Sequence, residues 1–330
     1  MKKVTIYEVA KEANVSLATV SRVINGSSVV KQDTKNRVEE AIKKLGYRPN
    51  AIAQGLALSK TTTVGLIIPS TSISFSGRMI NGLCDVAKIY DYSVHLHTIT
   101  EGVTDIKEII DDVIKARVDG VIIYADKDLD DSTKLLEEYN IPMVVMGNKI
   151  SSDSICSVYF DYQKAVYDLC ESYLAKGIDD IAVLQDHRND VVSDAIYRGA
   201  KDAFAKHGKE YDGYITVSKD NRSTYKFLKS YFKTHKHQVF IANRDSQALA
   251  ALNAATGNGI AVPEDMELIC MNESKYTSSV RPEISAFNVP YYDLGAISMR
   301  LMTKMLKDEE VEEKEKCIGI LFSPKHTTKE

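Results

Sequence analysis

The chain has 330 residues, more than one ordinary hydrophobic core accommodates, so about two or three domains are expected. With 44% hydrophobic and 27% charged residues it has the balance of a soluble globular protein, and no uninterrupted apolar run approaches the roughly 20 residues of a membrane helix. Five cysteines scattered singly (Cys84, Cys156, Cys170, Cys270 and Cys317) argue against a disulfide framework and a zinc cluster, and Met1-Lys2-Lys3 leads into no apolar signal segment, so a reducing cytoplasm is expected. The net charge of −4 is unevenly spread: residues 1–60 hold eleven Lys/Arg against five Asp/Glu, a local +6, which leaves −10 on the remainder. A basic head on an acidic body implies that only the head meets a polyanion.

In chain order, Thr5-Ile6-Tyr7-Glu8 has the pattern of a capping box, with Glu8 reaching back to the Thr5 amide. Ile6, Val9, Ala10 and Ala13 then recur at helical spacing. Asn14 tolerates a turn conformation, and Ser16 is a suitable cap for a second helix over about 17–25 that turns Val20, Val23 and Ile24 inward and stops at Gly26. A third helix over about 33–45 buries Val38, Ala41, Ile42 and Leu45 and ends at Gly46. Three short helices with a tight turn between the first two make a helix-turn-helix head over 1–48. The outer side of the second helix presents Leu17, Ala18, Thr19, Ser21, Arg22 and Asn25. Arginine can grip guanine with two hydrogen bonds, and small residues let the backbone approach the base edges. Thr5, Tyr7, Ser16 and Asn25 can donate to phosphates. Double-stranded DNA is therefore the expected partner of this face.

Pro49 disfavours helix at Arg48, and Asn50 can cap a short alanine-rich segment over about 51–58, part of a hinge and linker over 49–61. An isolated helix of that length is marginal in water, so it should form only in a complex. From Thr63 the pattern becomes apolar runs alternating with amphipathic segments. Strands are expected at Val64–Ile68, Ser93–His97, Gly120–Tyr124, Pro142–Met146, Ile181–Leu184, Val239–Ala242 and Leu268–Met271, with helices over about 78–90, 106–117 and 131–139. This alternation is that of doubly wound parallel sheets.

These stretches carry a family resemblance. TIYEVAKEANVSLATVSRVINGSSVVK and LGYRPNAIAQGLALSKTTTVGLIIP, continued by VPEDMELI, VRPEIS, YDLGAISMRLMTKML and the closing TTK, resemble the lactose-repressor family of transcription regulators over essentially the whole chain. Within that family the likeness is to regulators of carbon catabolite control. The resemblance implies an all-α helix-turn-helix DNA-binding head plus an α/β periplasmic-binding-protein-like core over 62–330. The core is made of two doubly wound parallel-sheet subdomains, near 62–161 plus 291–323 and near 162–290. It also implies a cytoplasmic homodimer on a pseudo-palindromic operator, acting mainly as a repressor, with no enzymatic activity and no cofactor. In the hinge, Leu56 falls where relatives insert a leucine into the minor groove, a wedge that unstacks a base step and bends the duplex. Gln54 stands where close relatives often have arginine, which makes that contact a hydrogen bond rather than a charge.

Two regulatory sites are in question. On the returning helix, Asp293, Ala296, Arg300 and Lys304 are spaced three to four residues apart and share a face, opposite a stripe of Leu294, Ile297, Leu301 and Met305. The stripe is expected to be buried, and Ala296, a small residue between an acid and two bases, to leave an accessible patch able to grip a phosphate and a cation together. The resemblance implies that this face, with Tyr90 and Tyr292, receives the serine-phosphorylated histidine-containing phosphocarrier protein of the sugar phosphotransferase system. The alternative is control by a small sugar, sugar phosphate or nucleoside in the cleft between lobes, where Asn243, Asp245 and Asn272 are the candidate residues. There the chain departs from sugar-sensing relatives: Ile196 stands at their arginine, three residues before Gly199, and Asn272 at their aspartate. A site without those charges loses its strongest hydrogen bonds. An enzyme or transport-binding protein on the same core is a further alternative, opposed by the head and by the lack of an export signal. His95-x-His97, on a strand expected to be buried, and His235-x-His237 lack acidic or cysteine companions at metal spacing and read as structural, and nothing in the spacing of Asp186, His187 and Ser193 supports catalysis.

Overall fold

The computed structural model describes residues 4–24, 29–47, 61–70, 73–100, 106–125, 134–150, 152, 154–186, 191–218 and 220–329. Asn25, Gly26, the break at Arg48-Pro49-Asn50, the hinge segment 51–58 with Gln54 and Leu56, and His187 lie outside them. The chain forms two units, Met1–Thr63 with Ala116–Asp119, and Val64–Lys115 with Gly120–Glu330.

The first unit holds three helices, α1 (Ile6–Ala13), α2 (Leu17–Ile24) and α3 (Gln32–Leu45). Local devices set four of their ends. The Glu8 carboxylate accepts from the Thr5 amide at 2.7 Å and from its hydroxyl at 3.1 Å, closing the capping box of α1. Asn14 ends that helix in the left-handed region at φ 51°, which asparagine adopts at low cost. The Ser16 hydroxyl accepts the Thr19 amide at 3.2 Å at the start of α2, and Gly46 closes α3 at φ 64°. Val9, Val20 and Val38, one from each helix, are fully buried and centre the small core. Thr61 ends the linker with its amide and hydroxyl on Asp119 Oδ1, at 2.8 and 3.2 Å.

The second unit contains β1 (Thr63–Pro69), α4 (Ile73–Ile89), β2 (Ser93–Ile99), α5 (Ile106–Lys115), β3 (Gly120–Tyr124), α6 (Lys134–Glu138), β4 (Met143–Met146) and β5 (Ile155–Phe160). It continues through α7 (Tyr162–Leu174), β6 (Ile181–Asp186), α8 (Val191–Lys206), β7 (Tyr214–Val217), α9 (Asn221–Tyr231), β8 (Val239–Ala242), α10 (Asp245–Thr256) and β9 (Glu267–Cys270). α11 (Lys275–Ser279), β10 (Ser285–Asn288), α12 (Tyr291–Leu306), β11 (Glu315–Ile318) and β12 (Leu321–Ser323) complete it. Two six-stranded sheets result, ordered β11-β5-β4-β3-β1-β2 and β12-β10-β9-β8-β6-β7. Each is a doubly wound sheet with one strand from the end of the chain added at its far edge: β11 lies parallel on β5, and β12 antiparallel on β10. Phe160, Tyr162 and Tyr291 cluster where the chain passes between lobes, with ring centroids 5.6–6.0 Å from Phe160 and the two phenol oxygens 3.3 Å apart.

Three expectations need correction. The first subdomain does not run to 323, because β12 pairs with β10 and so returns the last strand to the second lobe. β2 is not a buried strand: it is the edge of the first sheet, and His95 and Leu96 on it are exposed. Ala296 is buried, not part of an accessible patch, and the buried face of α12 runs through Leu294, Gly295, Ser298, Met299 and Met302 while Ile297, Leu301 and Met305 are only partly covered. The cause is a close crossing of α4 and α12. A Cβ on Gly82 would fall on the Tyr292 carbonyl and come within 3.2 Å of the Ala296 amide, and one on Gly295 would fall on the Met79 carbonyl. Only glycine permits backbones to approach so nearly. Gly295→Ala is therefore expected to lower unfolding stability by about 1–3 kcal/mol through overpacking, read as an earlier urea midpoint.

Candidate functional site

On the head, packing of Val20 and Val23 against α1 and α3 turns Leu17, Ala18 and Arg22 outward; Thr19 and Ser21 are half-buried at the flanks. Tyr7, at the start of α1, is 68% exposed, enough to place its hydroxyl in solvent. Thr5 and Ser16 are exposed but already used, Thr5 as a donor to Glu8 and Ser16 in capping, with its oxygen also 2.9 Å from the Thr19 hydroxyl. Their hydroxyls thus hold helix ends in place at the surface that also carries Arg22.

On α12, the crossing with α4 fixes which residues face outward, and Asp293, Arg300 and Lys304 do so. Tyr292 and Tyr90 are partly exposed beside them. The Tyr292 hydroxyl donates to Asp85 on α4 at 3.0 Å, and that bond to a carboxylate holds its phenol above the ordinary range. Lys307, which sequence reasoning passed over, sets its ammonium 4.6 Å from the centroid of the Tyr90 ring. Its signal was present in the sequence only as a base three residues after Lys304.

None of Asn243, Asp245 and Asn272 lines the cavity between the lobes described below. Asn243 is buried and donates to Ser193 at 2.9 Å, the Asp245 carboxylate accepts the Ser246 amide at 2.7 Å, and the Asn272 carbonyl accepts from the Cys270 thiol, which burial pushes up to about 12. Ile196 is buried in the core. A cavity of ≈ 1070 Å³ does open near the carboxyl ends of β4, β5 and β6, lined by Asn148, Asp161, Gln185, Ser193 and Arg198 and by four tyrosines, Tyr159, Tyr162, Tyr197 and Tyr214. Of the candidate cleft residues, Asn243 reaches it indirectly, through Ser193. Arg198 is paired with Asp194 on its own helix. Among the described residues no group of three or more His, Cys, Asp or Glu is placed to hold a metal ion, and no helix is long and apolar enough to cross a membrane.

The head, residues 5–50, matches the model for bacterial regulatory proteins of the lacI family, and residues 170–328 match the periplasmic binding protein-like domain. Catabolite control protein A of Staphylococcus epidermidis is 35% identical over 94% of this chain and 94% of its own, and that of Staphylococcus xylosus is 34% identical over 99% of each. The chain belongs to the lacI family. It is a DNA-binding transcription regulator homologous to catabolite control protein A, and not an enzyme. Solved structures of family members share the fold: a lac repressor dimer bound to operator and an anti-inducer superposes with a TM-score of 0.86 at 22% identity over 99% of both chains. Transcription regulator CcpA of Lactococcus lactis superposes at 0.69 and 26% identity over 81% of this chain and 99% of its own.

The cap at Ser16 allows a direct check on how α2 is held. Ser16→Ala is expected to destabilise the head by about 0.5–2 kcal/mol, seen as faster amide exchange in α2 without change in exchange of the β3 and β4 amides.

Proposed function

We propose that this regulator binds a pseudo-palindromic operator as a homodimer in the cytoplasm, acting mainly as a repressor in carbon catabolite control, and that a serine-phosphorylated phosphocarrier protein docking on α12 strengthens operator binding. The observation that carries the reading is the joint exposure of Asp293, Arg300 and Lys304 on a helix whose rotation is fixed by α4. A phosphoserine carries about −1.5 to −2 charge at neutral pH. Arg300 offers it a planar fork, Lys304 a mobile point charge one turn away, and Asp293 is left for a cation of the partner. Tyr90 and Tyr292 flank the patch and supply apolar area at low entropy cost.

On DNA, Arg22 reads a base edge from α2, with Leu17, Ala18, Thr19 and Ser21 around it and Asn25 beyond; Thr5, Tyr7 and Ser16 meet phosphates. One head reads one half-site, so the operator repeats with the symmetry of the dimer. Asn50 and Gln54 belong to the hinge contacts, and Leu56 is the minor-groove wedge. Phosphate contacts release counterions, so affinity falls steeply with salt.

Operator titrations with and without the phosphorylated carrier test both halves. Arg22→Ala should lose about 1–3 kcal/mol at the cognate operator and discriminate less well against scrambled DNA. Arg300→Glu should abolish the enhancement by the carrier while affinity without it stays at the parental value. A full response in Arg300→Ala/Lys304→Ala would refute the α12 assignment. A second reading, a sugar phosphate or other small effector between the lobes, draws on the tyrosine-lined cavity. Calorimetry with sugars and sugar phosphates separates it, since the phosphoprotein reading requires no heat from them.

A further inference from the structure

A second cavity, of ≈ 450 Å³, opens at the amino ends of β6 and β7, on the side of the second lobe away from the strand ends that face the interlobe cavity. That volume lies within the range of sites for small ligands. Its chemistry is uniform. Tyr211, Tyr214, Phe227 and Tyr231 supply aromatic surface, and the carboxylates of Asp179, Asp180 and Asp212 stand around it. Among the described residues the one basic side chain in its lining is His237, and that ring is committed on both sides: Nδ1 lies 2.6 Å from Asp180 Oδ1 and Nε2 lies 2.8 Å from the Tyr231 hydroxyl. Lys209, outside the wall, pairs with Asp179 at 2.6 Å. Asp212 is exposed beside the cavity.

The rings are ordered with respect to one another. Phe227 and Tyr231, one turn apart on α9, stack with centroids 5.7 Å apart and planes 26° from parallel, and Tyr231 stacks on His237 at 5.9 Å and 13°. Phe227 keeps 43% of its surface in solvent, so the stack presents aromatic area at the cavity rim. Aromatic faces carry negative potential and attract cations, and a nearby carboxylate adds a charge-assisted hydrogen bond. The same groups repel phosphate and carboxylate ligands. We propose that this cavity binds a small organic cation, an alkylammonium or guanidinium compound, with its apolar part against the exposed Phe227 ring and its charge toward Asp212 and Asp180. Tyr214 lines this cavity and the interlobe one alike, so the occupant abuts a wall of the cleft between lobes.

Isothermal titration calorimetry of the full chain tests this without DNA or any protein partner, and so independently of the operator and phosphoprotein readings. Putrescine, spermidine and arginine are titrated into the parent, Asp212→Asn, Phe227→Ala and, as a distant acidic control, Glu309→Gln, each checked for an unchanged melting temperature. The expected result is one-to-one binding of at least one cation, weakened about tenfold or more in Asp212→Asn and Phe227→Ala and unaltered in Glu309→Gln. No binding by any of the three cations, equal weakening in all variants, or equally tight binding of glutamate would overturn the proposal.

Discussion

Helices α4 and α12 meet backbone to backbone at Gly82 and Gly295, and much of the core's functional geometry follows from that contact. The chain has already built both lobes when it returns along α12, and the crossing locks this helix to the first lobe at one rotation. Leu294, Met299 and Met302 go under it, and Asp293, Arg300 and Lys304 remain outside. A helix that could roll by one residue would bury a charge or expose a methionine, either of which costs more than a typical surface ion pair returns. The Tyr292–Asp85 hydrogen bond and the Lys307–Tyr90 contact add side-chain ties between the same two helices and their flanks.

After α12 the chain gives one strand to each sheet, β11 to the first and β12 to the second. The lobes are thus joined at three crossings, after β5, before α12 and between β11 and β12. The buried aromatic cluster of Phe160, Tyr162 and Tyr291 sits at two of these crossings. The second lobe is further closed by its own tail: the Tyr173 hydroxyl and the Lys329 amide both donate to the buried carboxylate of Glu267, at 2.6 and 3.2 Å.

Charge divides the molecule by task. The basic head is suited to a polyanion, and Arg300 and Lys304 form a local basic patch on a body that is otherwise acidic. On that body the cavity at the amino ends of β6 and β7 is ringed by aspartates, so the two surfaces favour ligands of opposite sign.

What the sequence by itself determined about this protein is whatever acts over a few residues. The Thr5–Glu8 box, the Asn14 turn, the Ser16 cap and the Gly46 stop each depend on atoms within about one turn of helix, so the head was legible almost residue by residue. The central strands were legible because both of their faces are buried and their apolar runs are unbroken, as in Val121–Ile123 and Phe240–Ala242. The strands that escaped notice, β5, β7, β10, β11 and β12, are short, interrupted or half-exposed, and their membership depends on which partner they find across the sheet. Tertiary structure alone decided that Ala296 is buried while Arg300 is not, that His95 lies on a sheet edge, and that Asp180, His237 and Tyr231 join in one chain of hydrogen bonds. Those outcomes depend on approaches between residues distant in sequence, set by two glycines and a strand order, and periodicity carries no information about either.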